Sequence, residues 1–153
     1  MIRILIAEDH LIARVGVKTI LNMQPDMTVV AEAANGAQAI EMHREHRPDI
    51  TLMDMRMPGT SGLEAIVAIR GELPEARIIA LSTYGGDEDI RRALQSGVRA
   101  YLTKDVLHDE LIRAIHAVHA GEIYLPASVS AALEASSLHA SLSERVDLAR
   151  APS

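Results

Sequence analysis

Short apolar runs alternate five times with stretches whose apolar residues fall at helical spacing, and few folds accept that order. The runs are Ile2–Ala7, Met27–Ala33, Asp49–Met53, Arg77–Leu81 and Val98–Leu102. Each has strand length, and continuous apolar character suits a parallel strand buried on both faces. Helical segments are expected at His10–Met23, Ala37–His46, from the Thr60-Ser61 cap to about Gly71, from an Asp87 cap to Gly97, and from Leu107 to Gly121. In the first of them Ile12, Val15, Gly16, Thr19, Ile20 and Met23 form the stripe, while Leu107, Leu111, Ile115 and Val118 mark the last more firmly. The fourth helix is thin in apolar residues, with Ile90, Ala93, Leu94 and Gly97 opposite a polar face. Strict strand–helix alternation predicts an α/β fold with a doubly wound, five-stranded parallel sheet.

In such sheets ligands bind outside the carboxyl ends of the strands. The first strand runs into Glu8-Asp9, the third ends at Asp54, the fourth at Ser82 and the fifth at Lys104. The second ends in Ala33-Ala34 and adds nothing polar. Three carboxylates brought together raise one another's pKa unless a cation joins them. An all-oxygen donor set suits Mg²⁺ or Mn²⁺. Lys104 adds a point charge and Ser82 a hydroxyl, which together would support a phosphoryl group on Asp54.

Plainer roles exist for the same residues. Asp9 could cap the first helix, Ser82 could be an ordinary strand-end hydroxyl, and Lys104 a solvated lysine. The seven histidines are at 10, 43, 46, 108, 116, 119 and 139, and the pairs His43/His46 and His116/His119 read as solvated faces or core edges, without acidic partners at ligand spacing. Pro58-Gly59-Thr60-Ser61-Gly62 lacks the lysine and length of a phosphate-binding P-loop. A phosphatase built on an aspartyl phosphate wants an acid two residues after the nucleophile, where this chain has Arg56.

Composition narrows the partners. Net charge is −6 and only three tyrosines supply aromatic surface, so the chain has neither a basic footprint nor a stacking platform for nucleic acid. There is no cysteine, and no apolar run reaches membrane-spanning length. A cytoplasmic protein without a membrane partner is expected.

Residues 1–120 resemble the receiver domain of bacterial two-component response regulators. The resemblance rests on Glu8-Asp9, on Asp54-Met55-Arg56-Met57-Pro58-Gly59 with Gly62, on Ser82, and on Tyr101-Leu102-Thr103-Lys104, with Ser82 and Lys104 placed 28 and 50 residues after Asp54. It implies a flavodoxin-like sheet of strand order 2-1-3-4-5. Asp54 would be the phosphoacceptor of a sensor histidine kinase. Asp9, Asp54 and the Arg56 carbonyl would hold Mg²⁺ directly, with Glu8 acting through water. Ser82 and Tyr101 would form the switch pair, the hydroxyl moving to the phosphate as the tyrosine turns inward. Such a protein is a self-phosphorylating and self-dephosphorylating acceptor rather than a turnover enzyme, and homodimers are common among its kind.

Glu122-Ile123-Tyr124-Leu125-Pro126 narrows the resemblance to the NarL/FixJ type, whose receivers precede a LuxR-type helix-turn-helix domain. Residues 121–138 are expected to be a linker with a short helix. Residues 139–153 are expected to be a flexible tail, in which Leu142-Ser143-Glu144-Arg145 resembles the opening of a truncated DNA-binding domain. DNA would then be a partner only through that missing domain. The alternative is a stand-alone receiver or pseudo-receiver that acts by protein–protein binding. Lys104-Asp105 stands where many receivers have Lys-Pro with a cis bond.

Overall fold

The computed structural model describes residues 1–83, 86–105, 107–131 and 133, except for the side chains of Asp87, Leu107 and His108. The elements run β1 (Ile2–Ala7), α1 (Leu11–Asn22), β2 (Met27–Ala33), α2 (Gly36–His46), β3 (Ile50–Asp54), α3 (Gly62–Glu72), β4 (Ile78–Ser82), α4 (Asp87–Gln95), β5 (Ala100–Thr103) and α5 (Leu107–His119). All neighbouring strands are parallel, in the order β2-β1-β3-β4-β5. Alternation therefore gave both the fold class and the element count. This is the expected flavodoxin-like strand order.

The sheet separates two apolar layers. On one face Ile4, Ile6, Leu52, Ile79 and Leu102 meet Val17 and Leu21 of α1 and Leu111, Ile115 and Val118 of α5. On the other, Leu5, Met53, Ile78 and Ala80 meet Ile66 and Ile69 of α3 and Ile90 and Ala93 of α4. Period-two alternation assigns the strand residues to their faces. Because both faces are covered, the strands show no polar alternation, which explains their continuous apolar runs.

Two local expectations change. α1 forms where its spacing predicts, but Ile12, Val15 and Met23 of the proposed stripe point outward and Ile12 is 88% exposed. Val17 and Leu21 are the buried pair. The helix is apolar on more than one side, so period alone could not choose the inward face. At α4, Gly86 rather than Asp87 occupies the N-cap, and no side chain caps the helix there. Ser61 does cap α3, its hydroxyl accepting from the Glu64 N–H. No cis peptide occurs among the described residues, so Lys104–Asp105 is trans.

After α5 the chain passes along the free edge of β5. The Tyr124 N–H donates to the Arg99 carbonyl at 2.9 Å, and Tyr124 pairs with Ala100 in a parallel bridge. The Tyr124 hydroxyl also donates to Glu110 on α5. Residues 127–131 are helical, and Val129 is 2% exposed within the layer that holds α3 and α4. The expected linker helix is thus present to that extent and packed. Residues 134–138 of the expected linker, the tail 139–153, and Tyr84-Gly85 of the β4–α4 loop lie outside the described residues. Among the described residues no helix is long and apolar enough to cross a membrane.

Candidate functional site

Parallel strands place their carboxyl ends side by side, and the backbone shows it directly. The Glu8 N–H donates to the Ala33 carbonyl, the Met55 N–H to Leu81, and the Lys104 N–H to Ser82. Chain segments remote in sequence are thereby held within hydrogen-bond reach. Gly62 brings α3 close behind the third strand end. A Cβ at Gly62 would lie 2.2 Å from the Asp54 carbonyl oxygen and 2.7 Å from the Met55 Cα, so the site tolerates no side chain there.

Asp54 is buried and held from two directions. Its Oδ1 accepts from the Arg56 backbone N–H at 2.9 Å, and its Oδ2 accepts from Lys104 Nζ at 3.0 Å. The same ammonium donates to Glu8 Oε1 at 2.7 Å. Glu8, Asp9 and Asp54 each place a carboxylate oxygen within 4.8 Å of the others, and His10 places a ring nitrogen in the same set. The sequence reading brought the three acids and Lys104 together, and the structure does too. His10 was missed, although its position directly after the acidic pair was a usable signal. Asp9 does not cap α1, whose N-cap is His10 with no side-chain cap.

The electrostatics are those of too many negative charges in too little water. Burial, followed by the hydrogen bond and charge of Asp54, pushes the Glu8 carboxyl up to about 7 although Lys104 opposes the shift. Burial also works against the Asp54 carboxylate, yet hydrogen bonds with Glu8, the Arg56 N–H and Lys104 hold it below its ordinary value. Lys104 is partly desolvated, but its two carboxylate partners raise its pKa and keep it charged. Glu8 Oε2 and Asp9 Oδ1 are buried and have no hydrogen-bond partner. Orphaned anionic oxygens are costly unless a cation satisfies them. The donor set therefore fits a hard divalent ion, with Glu8, Asp9 and Asp54 as its carboxylates.

Ser82 and Tyr101 are both buried, and their hydroxyls share a hydrogen bond. Burial raises the Tyr101 pKa and keeps the phenol neutral. Tyr101 is 0% exposed, so it already stands inward, in the orientation expected to follow phosphorylation. A space of about 170 Å³ beside the pair is bordered by Met55, Arg56, Leu63, Asp89 and Arg92. The Arg56 guanidinium lies 3.9 Å from Asp89 across it, linking the loop after β3 to α4.

The remaining histidines divide. His43 is buried, and burial lowers its pKa. His116 Nε2 lies 2.7 Å from Asp26 Oδ2, an acidic partner that spacing along the chain could not reveal. Neither belongs to the strand-end cluster.

Residues 4–116 match the family model described as the response regulator receiver domain. The chain is 41% identical over 133 residues to the nitrate/nitrite response regulator protein NarL of Escherichia coli K12, covering 87% of this chain and 62% of that protein. It is 39% identical over 132 residues to the oxygen regulatory protein NreC of Staphylococcus haemolyticus, covering 86% of this chain and 61% of that one. It spans about three-fifths of the length of these curated relatives. A LuxR-family two-component response regulator from Aurantimonas sp. SI85-9A1 superposes with a TM-score of 0.87 at 33% identity, over 90% of this chain and 99% of that one.

Proposed function

Because this chain belongs to the receiver domains of two-component response regulators, we propose that Asp54 accepts a phosphoryl group from the phosphohistidine of a sensor histidine kinase. The observation that carries this reading is the charge arrangement: one buried carboxylate, bonded to one lysine, beside two orphaned carboxylate oxygens. An Asp54 oxygen attacks phosphorus in line. The P–N bond breaks, and the donor imidazole leaves with its electron pair and takes up a proton. Lys104 turns its ammonium from Asp54 to a phosphoryl oxygen, and Ser82 exchanges its bond to Tyr101 for one to another. Asp9, Asp54 and the Arg56 carbonyl would hold Mg²⁺ or Mn²⁺ directly, with Glu8 acting through water, and the ion would supply charge neutralisation for the equatorial oxygens.

The acceptor is the protein's own side chain, so the chemistry is a reversible modification and not turnover of a released substrate. Water later attacks the acyl phosphate and restores Asp54. The added charge of about −1.5 to −2 acts beside α4, which buries only Ile90 and Ala93 fully among its described side chains and is lightly anchored. Tyr101 is already inward, so the moving parts are Ser82 and the α4 face. A groove bordered by Ala13, Gly16, Ile20 and Lys104 opens next to Glu8, and Leu11, Ile12 and Val15 are exposed on the same helix. That surface suits an apolar helix of a cytoplasmic kinase presenting its phosphohistidine.

The NarL/FixJ resemblance carries with it an output on transcription through a DNA-binding domain, and we extend that output to proteins built on this receiver. The division into a receiver over 1–120, a linker over 121–138 and a tail over 139–153 belongs to the same proposal. Incubation with Mg²⁺ and acetyl phosphate, followed by intact-mass measurement, tests it. The wild type gains one phosphate and Asp54→Ala gains none. An adduct that survives the substitution overturns the assignment, and no adduct on the wild type favours a receiver that acts by binding alone.

A further inference from the structure

The acidic pocket has a fourth donor that the phosphoryl chemistry does not use. His10 occupies the N-cap of α1 with an extended backbone and makes no capping bond, so its ring is not committed to the helix. Its Nδ1 lies 3.3 Å from Asp9 Oδ1 and 3.8 Å from Glu8 Oε1. Asp9 Oδ1 nevertheless has no hydrogen-bond partner. One donor atom from each of Glu8, Asp9, His10 and Asp54 lies within 4.8 Å of the others, close enough for a single ion to meet all four. Glu8 supplies an independent sign of a missing ligand: its side chain is 2% exposed, and its Oε2 is buried and unpartnered. The imidazole itself is 74% exposed, so solvent reaches it beside the buried Glu8.

We propose that His10 is a nitrogen ligand at this centre and that it sets metal preference, giving the pocket an affinity for borderline ions such as Zn²⁺ and Co²⁺ well above that for Mg²⁺. This rests on the reading of Glu8, Asp9 and Asp54 as a cation site. Oxygen-only sites favour hard ions, and an added imidazole favours the later first-row metals because nitrogen donates more strongly to them. Mg²⁺ gains little from imidazole and keeps its carboxylates and waters. The chain would then distinguish the two kinds of ion by one residue.

The experiment is a competition in solution on the full chain. Backbone amide signals of Asp9 and Asp54 and the ring nitrogens of His10 are followed by NMR while ZnCl₂ is added to protein saturated with MgCl₂. In the wild type Zn²⁺ displaces Mg²⁺ and shifts the His10 Nδ1 resonance, which Mg²⁺ leaves in place. In His10→Ala the Zn²⁺-over-Mg²⁺ preference falls by at least about tenfold. Asp9→Asn, read in the same way, loses the strand-end response to both ions, which separates this centre from zinc bound at His116 and His119. An unmoved His10 ring with an unchanged preference in His10→Ala overturns the proposal while leaving the Mg²⁺ site standing. Asp9 and Asp54 amides that answer neither ion overturn the cation site itself, and the proposal with it.

Discussion

Asp54 and Glu8 occupy nearly the same depth and have opposite tendencies, because the protein gives them different partners. Asp54 receives a backbone N–H as well as Lys104, whereas Glu8 has Lys104 as its donor, no backbone N–H, and one oxygen left orphaned. A carboxyl whose pKa is higher in the folded than in the unfolded protein adds stability below its unfolded value and loses that contribution as pH rises through the folded one. For Glu8 the window runs from 4.5 to about 7. Metal-free protein should therefore lose on the order of 1–3 kcal/mol across that window, and Mg²⁺ should restore it increasingly towards the alkaline end. Urea unfolding from pH 5 to 8, with and without Mg²⁺, measures this, and Glu8→Gln should flatten the metal-free profile. Buried His43 works in the other direction. Its pKa is lowered by burial and by Arg47, so its contribution is lost as pH falls through the ordinary value of 6.5.

At this scale much of the site was legible, because its residues follow directly on apolar strand runs. The orientation of Tyr101 was not, since a buried tyrosine and a surface tyrosine look alike in a row of letters. The hydrogen bond between Ser82 and Tyr101 depends on how β4 and β5 align, and only the folded register supplies that.

Among the elements, α1 shows where pattern reasoning fails for a physical reason. A helix with apolar residues on most of its circumference has several candidate faces, and contact with the sheet decides among them. Leu21 is fully buried while Ile12 faces outward. Leu21→Ala should cost about 2–5 kcal/mol, whereas Ile12→Ala should change stability by no more than about 0.5 kcal/mol. Chemical denaturation of the two variants checks the assignment, and similar losses in both would contradict it. α3 offers the opposite case. Gly62 reads as a loop glycine in the sequence, but its role is to let the helix start against the Asp54 and Met55 backbone. Gly62→Ala should destabilise by about 1–3 kcal/mol through overpacking, and should also slow phosphorylation by acetyl phosphate, because the carboxylate must move with its backbone.

Over the whole molecule, the alternation of segments was enough to give the layers, since a parallel sheet with right-handed crossovers leaves few arrangements. The closure of the β5 edge could not be read that way. It depends on Tyr124 reaching Arg99 and Ala100, and on Val129 crossing to the layer opposite α5. An exposed edge strand invites pairing with other chains, and covering it removes that hazard. Val129→Ala should cost about 1–2 kcal/mol by lost burial. Hydrogen exchange should quicken at Tyr124 and along β5 in that variant, and an unchanged exchange pattern would show that the segment does not hold the edge.

The identity of the oxygen that takes the phosphoryl group decides the function of the site. Reduction of the acyl phosphate with borohydride converts a phosphorylated aspartate to homoserine, and peptide mass mapping then locates it. After treatment with acetyl phosphate and Mg²⁺, homoserine is expected at position 54 alone. Homoserine at position 9, reduction at Glu8, or unmodified protein under the same conditions would contradict it.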